Sequence, residues 1–230
     1  MQRERRKTRT HRRPGEPYVG RPGRRSPKHD DGNEHPTVAS PDPRRWYRER
    51  GRVSSHVRRT REPTLIEIRE EHPGDVAAIR DVNKRAFGQD QEGNIVDALR
   101  SNGATLLSLV ATLRGQVVGH IMYSSLSVGD IPGAALGPMA VLPEHQRQGI
   151  GSRLVEAGNR KLKEGGCLFI VVVGHANYYP RFGFRAASTH GITCEWEVPD
   201  DVFMMLVLDP PKMQGVSGLA KYRHEFSSVS

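Results

Sequence analysis

Hydrophobic and polar positions along the chain change period several times after residue 62. TLIEIRE (64–70) alternates apolar and polar residues, the period of a strand with one face buried. In HPGDVAAIRDVNKRAF (72–87) the period lengthens: Val76, Ile79, Val82 and Ala86 fall at helical spacing, and Pro73 suits a helix start. EGNIVDALRSNG (92–103) predicts a second short helix that stops at Gly103. ATLLSLVATLR (104–114) and QVVGHIMYSSLSV (116–128) flank a tight turn at Arg114-Gly115, which predicts a hairpin. ALGPMAVL (135–142) predicts another strand. A helix is expected over 149–164, with Ile150, Leu154, Ala157 and Leu162 along one face and Gly165-Gly166 ending it. CLFIVVV (167–173) is apolar throughout and β-branched, as befits a strand buried on both faces. A short helical turn and a last clear strand, VFMMLVL (202–208), complete the order. This is a single mixed α/β (α+β) domain without internal repeats.

Composition changes the picture mainly at the N-terminus. Residues 1–62 hold 19 Lys+Arg against 8 Asp+Glu, a net of +11, while the remainder carries a net of −2. The overall charge of +9 thus belongs to the first segment and not to the folded body. That segment is rich in Arg, Pro, Ser and Gly, lacks either period, and reads as disorder that cannot offset its ordering entropy. It reads as a loose extension or an over-extended gene start. The functional alternative is a basic arm for nucleic acid or acidic surfaces, and nucleic acid enters as a partner only there. Two cysteines, Cys167 and Cys194, make no disulfide framework. No apolar run reaches membrane-spanning length, and the Arg-rich start lacks a signal's hydrophobic segment. A cytoplasmic location is therefore expected. The ten histidines are scattered and show no metal-ligand spacing.

The chemically informative stretch is PEHQRQGIGSRL (143–154). It sets Gly149 and Gly151 at the threshold of a helix, where glycine costs about 1 kcal/mol. A strand that feeds a helix through such a loop aims several free backbone N–H groups at one spot, and the helix dipole adds partial positive charge. Bare glycines would let a bulky anion touch that backbone, with Arg147 and Arg153 nearby. Alternatively, the glycines permit close helix–sheet packing. The stretch fits neither a Walker loop, which needs a lysine it lacks, nor a dinucleotide fingerprint, where Leu154 stands in the third position.

Gln146-Arg147-Gln148-Gly149-Ile150-Gly151 matches the [QR]xxGx[GA] signature of the GNAT superfamily of acyl-CoA-dependent N-acetyltransferases. LGPMAVLPEH (136–145) is similar to that family's fourth strand and its exit. NYYPRFGF (177–184) resembles its Tyr-x-x-x-Gly-Phe element. The likeness covers residues 64 to about 208, and is nearest to a bacterial subgroup of predicted N-acetyltransferases carrying YYPRFGF. It implies a central, mostly antiparallel mixed sheet with strands four and five splayed and helices on either side.

The resemblance also implies a chemistry. Backbone N–H groups from Gln146, Arg147, Gln148, Gly149, Ile150, Gly151 and Ser152 would cradle the pyrophosphate of acetyl-CoA. The pantetheine arm would lie along Met139, Ala140 and Val141, with the thioester in the gap between the splayed strands. An amine would attack the thioester directly, in a ternary complex. The amine must first lose a proton, because a lysine-like ammonium has a pKa near ~10.4. Tyr179 matches the family's usual general acid, which would protonate the departing thiolate; packing on the core is the alternative, and the stronger one for Tyr178. For the base, His175 at the end of strand 167–173 and Glu144 at the opposite strand's exit are candidates. Either is as readily structural: a strand-end histidine, and a helix-entrance charge favoured by the dipole. His120 lies in a strand, facing either core or substrate. Cys167 reads as packing, and nothing suggests a cysteine-linked intermediate.

The reading is an enzyme, an N-acetyltransferase acting on a primary amine of a small molecule or a peptide, with no metal. A homodimer is compatible with it. Asp90, Glu92 and Asp97 are weak candidates for contacts to the amine. The domain is expected to span 63–211, followed by a tail, 212–230, in which Tyr222 and Phe226 either fold back over the site or stay on the surface. The rival readings are a non-catalytic acyl-CoA sensor on the same fold, and a nucleic-acid-associated protein working through residues 1–62.

Overall fold

Strand β1 (Ile66–Glu70) forms where the alternation begins. The computed structural model describes residues 65–229, so the expectations for residues 1–62 lie outside the described residues. After a single 3-10 turn at Pro73–Asp75 come α1 (Val76–Phe87) and α2 (Gln91–Ser101). The hairpin is β2 (Thr105–Leu113) and β3 (Gln116–Val128), turned through Arg114 and Gly115 at φ 51° and 79°. β4 (Ile131–Val141) starts four residues before the expected 135, because a second tight turn at Gly129-Asp130 pairs Ile131 with Val128. α3 (Ile150–Glu164) and β5 (Phe169–Val173) follow. Cys167 was expected to open β5, but stands two residues before it and is half-buried.

Four further strands complete the sheet: β6 (Arg185–Ala186), β7 (Ile192–Cys194), β8 (Phe203–Val207) and β9 (Gly218–Lys221). Only β8 is long enough to show in the sequence pattern. The main path runs β1-β2-β3-β4-β5-β8-β6, and β9 pairs with both β3 and β7. Pairing along the main path is antiparallel except between β4 and β5. The expected end of the domain at 211 falls short of the packed chain, since β9 joins the sheet beyond it.

Side-chain alternation on β2 and β3 sends successive residues to opposite faces. Leu109, Ala111, Ile121 and Tyr123 pack with Ile150, Leu154, Val155 and Leu162 of α3. Their neighbours Val110 and Met122 pack with Ile79 of α1 and Ile95, Val96 and Leu99 of α2. The sheet is thus sandwiched between α3 and the α1–α2 pair. A third cluster, around Phe169, Val171, Phe203 and Met205, fills the C-terminal side and includes Ala220 of β9.

Candidate active site

The site begins with a strand that leaves its neighbour. β4 and β5 pair only at Ala134↔Ile170 and Ala135↔Val171. Beyond that, β4 takes one more residue than β3 between Leu136 and Met139, a bulge that contains Gly137-Pro138. Bulges bend the strand that carries them. β5 meanwhile continues along β8 to Val173. The edge of β4 from Leu136 to Val141 is therefore left without β5, and a gap opens there.

The loop after β4 is fixed by its own glutamines. Gln146 Nε2 donates to the Val141 carbonyl at 3.0 Å, and Gln148 Nε2 donates to the Glu144 carbonyl at 3.1 Å. Arg147 and Gly149 both take left-handed backbone conformations, φ 60° and 81°. Left-handed residues set among right-handed or extended ones turn successive N–H groups into one concavity, which suits an anion. The N–H groups of Ile150, Gly151 and Ser152 open α3 and have no intrahelical acceptor.

The two glycines serve different ends. Gly149 supplies the left-handed turn and faces open space, with no atom within 4 Å of where a side chain would begin. At Gly151 a side chain would begin 2.7 Å from Tyr178 Oη. Gly151 therefore makes room for a tyrosine, which is close packing, whereas Gly149 fits the exposed cradle.

These features surround a cleft of about 690 Å³ lined by Met139, Ala140, Val141, Gln146, Arg147, Gly149, Ile150, Gly151 and Ser152, with His175, Tyr178, Tyr179 and Arg181 opposite. Gln148 acts from behind, through its loop bond. The Arg181 guanidinium lies 3.9 Å above the Tyr178 ring and brings a cation to the rim. A concave anion cradle beside a strand edge with free peptide groups fits a long ligand with phosphate at one end and amides along its arm.

A second cleft, of about 470 Å³, lies on the other side of Tyr179. Phe87, Met139, His175 and Tyr179 line both. The second cleft adds Glu92 and Ile95 from α2, Trp196 from the loop after β7, and Tyr222 and Phe226 from beyond β9. Tyr222 and Phe226 do fold back, and Glu225 between them is buried and accepts from Asn102 Nδ2 at 2.9 Å. Trp196 and Phe87 carried no signal in the sequence, because neither belongs to a motif.

Tyr179 is buried, edge-on to Tyr178 at 5.1 Å and to Phe184 at 5.6 Å. Burial pushes its phenol well above the ordinary range, so it is neutral and carries its proton at physiological pH. His175 is exposed at the shared wall. Glu144 stands apart: it lines neither cleft and pairs with Arg85 at 2.8 Å. Its own backbone N–H, then Arg85, hold its carboxyl below the usual range.

His120 belongs to the core and to neither cleft. Asn83 Nδ2 faces its Nδ1 at 3.2 Å, and Ser108 Oγ faces its Nε2 at 3.0 Å. Ser108 in turn donates to Glu71. That chain of donors is consistent for a neutral ring protonated on Nε2, and burial lowers its pKa to about 4. Cys167 and Cys194 line neither cleft, and burial raises both thiols. Among the described residues no group of three metal-ligating side chains converges, and no helix is long and apolar enough to cross a membrane.

A family model described as an acetyltransferase (GNAT) domain matches residues 105–186. The uncharacterized N-acetyltransferase YhbS of Escherichia coli K12 is 34% identical over 163 residues, which is 70% of this chain and 98% of that protein. The chain belongs to the GNAT superfamily of N-acetyltransferases. YjhQ of the same organism, also an uncharacterized N-acetyltransferase, is 37% identical over 134 residues, covering 55% of this chain and 74% of its own. Two solved GNAT structures superpose well. YhbS in complex with CoA gives a TM-score of 0.68 at 33% identity, covering 70% of this chain and 92% of that one. An acetyltransferase of Brucella melitensis in complex with acetyl-CoA gives 0.61 at 36%, covering 71% and 99%. The mixed sheet, its parallel β4–β5 pair and its flanking helices are those of the GNAT fold.

Proposed function

We propose that this GNAT enzyme transfers acetyl from acetyl-CoA to a primary amine by direct attack in a ternary complex. The observation that supports it most is the shared wall: Tyr179 and His175 border both the anion-cradling cleft and the second cleft. A thioester reaching along β4 from the 146–152 loop would end where an amine in the second cleft meets it. The YhbS and Brucella relatives, solved with CoA and acetyl-CoA, support the ligand.

The residues then divide the work. Peptide N–H groups of 146–152 hold the diphosphate, and the free edge of β4 at Met139 and Ala140 pairs with the pantetheine amides. At Val141 the carbonyl is already taken by Gln146. His175, directly or through water, accepts the proton that the ammonium must lose. The amine nitrogen attacks the thioester carbon, the C–N bond forms and the C–S bond breaks. Tyr179 gives its phenolic proton to the sulfur, and the second proton that the nitrogen sheds as the amide forms restores the phenol, directly or through water. Per turnover one proton is released to solvent.

Thiol release from acetyl-CoA in the presence of a broad amine library is the test. Turnover with an amine, absent without it, is expected. CoA binding without turnover on any amine would leave the protein an acyl-CoA sensor instead.

A further inference from the structure

The second cleft is unusual in its charge. Six acids lie between Glu71 and Asp97. Glu71 pairs with Arg100, Asp75 with Arg69, Asp81 with Arg85, Asp90 with Lys84, and Asp97 with both Arg80 and Arg100. Glu92 is the exception: among the described residues its carboxylate meets only the Gln89 side-chain amide, at 3.0 and 3.3 Å. It is also the acid that lines the cleft.

The same cleft carries a group of aromatic rings. Trp196 lies on Tyr222 with ring centroids 4.5 Å apart, and Tyr222 meets Phe226 edge-on at 5.6 Å. The Tyr222 N–H donates to Glu195 at 2.9 Å, which ties this group to the loop after β7. Phe87, 43% exposed at the end of α1, supplies a further face. Apolar rings grouped along one cleft signal a ligand surface, which a single exposed ring would not. The lining contains no lysine or arginine. The cleft thus offers one unpaired negative charge, flat apolar faces, and no lysine or arginine for an acidic substituent.

Resting on the acetyl-transfer reading, we propose that the acceptor is a small arylalkylamine. Its ammonium pairs with Glu92, its ring lies among Phe87, Trp196, Tyr222 and Phe226, and no carboxylate stands beside its nitrogen. An aromatic amino acid has the same ring but brings a carboxylate towards Glu92 with no lysine or arginine in the lining to neutralise it. Like charges set side by side in a cleft repel and disfavour binding. The aromatic group adds attraction for the ammonium through its ring faces.

The test compares 2-phenylethylamine and tryptamine with phenylalanine, tryptophan, putrescine and a lysine-containing peptide, using the full chain and acetyl-CoA. The arylalkylamines should exceed the amino acids by ~100-fold in kcat/KM. Glu92→Gln should raise KM for tryptamine about tenfold with kcat little changed. Trp196→Ala should do the same for tryptamine while CoA affinity, measured by calorimetry, stays as in the parent. Preference for an amino acid, putrescine or the peptide would overturn the assignment yet leave acetyl transfer standing. If no amine turns over, calorimetry of 2-phenylethylamine on the CoA-loaded protein decides the cleft separately. Binding lost in Glu92→Gln supports it, and absence of binding overturns it.

Discussion

The two clefts that meet at Tyr179 are built from different materials. The first takes its distinctive surface from main chain: a bulged strand edge and the peptide groups of residues 146–152, the loop after β4 and the first turn of α3. The second shares the β4 bulge and the end of β5 as its floor, and takes its distinctive surface from side chains of α1, α2, the loop after β7 and the segment beyond β9, stretches spread from Phe87 to Phe226. A backbone site needs a local conformation, and the residues that allow it sit next to each other. A side-chain site needs only that distant segments converge, so its composition is free to vary. The main-chain cleft is thus suited to the ligand that GNAT relatives are seen to bind, and the side-chain cleft to the acceptor that is particular to this chain.

The largest effect should come where the clefts meet. Tyr179→Phe removes the phenolic proton but keeps the ring that packs on Phe184. We expect kcat to fall by ~100-fold or more, the usual scale for a positioned proton donor. Acetyl-CoA affinity should hold, as read by calorimetry. Equal rates would take Tyr179 out of the chemistry and reduce the shared wall to packing. Next in size is Gly149→Val. A β-branched residue at φ 81° is strained by roughly 1–3 kcal/mol, and relief would flatten the concavity of N–H groups. CoA affinity should drop ~30-fold with the fold intact by circular dichroism. Unchanged affinity would mean that the cradle is not where the diphosphate sits.

A smaller effect probes the side-chain cleft through its support. Burial alone would raise the Glu225 carboxyl, but hydrogen bonds from Arg223 and Asn102 outweigh it and lower its pKa to about 2. A group depressed in the fold contributes stability above its unfolded pKa, here near 4.5, and loses it as pH falls towards 2. The segment carrying Tyr222 and Phe226 should therefore loosen between about pH 4.5 and pH 2. Trp196 fluorescence in a Trp46→Phe background follows it, since Trp196 rests on Tyr222. Asn102→Ala should move the midpoint upward. A Trp196 signal flat to pH 2 would detach Glu225 from that role.

What could be read in the sequence follows the same division. The 146–152 loop was legible because its glycines violate helix propensity in one short run, and the hairpin because Arg114-Gly115 joins two alternating stretches. Periodicity found every long element. It missed β6, β7 and β9, which have two to four residues each and show too little pattern to count. It also missed the start of β4, where Pro132 and Gly133 interrupt the alternation. Trp196 and Phe87 were invisible since neither belongs to a local motif and the cleft they line is closed by segments far apart in the chain. The sequence leaves two reasons open for the glycines, a bared backbone and close packing, and the structure divides them: Gly149 supplies the left-handed turn and Gly151 makes space for Tyr178.

Glu144 is the residue on which sequence position and structure pull apart most, and it gives the smallest expected effect. Its place at the exit of β4, opposite His175, recommended it as a base. A base must accept a proton near neutral pH, yet Arg85 and its own backbone N–H favour the charged form of this carboxyl, and its side chain is 49% exposed outside both clefts. Exposed ion pairs contribute within about 1 kcal/mol. Glu144→Gln should accordingly change turnover less than about twofold and leave the thermal midpoint close to the parent's. His175→Gln, by contrast, should lower turnover by at least ~10-fold while acetyl-CoA affinity holds. Should the two variants exchange behaviours, the base would lie on the β4 side of the gap, and the division of labour between the clefts would have to be redrawn around the Arg85–Glu144 pair.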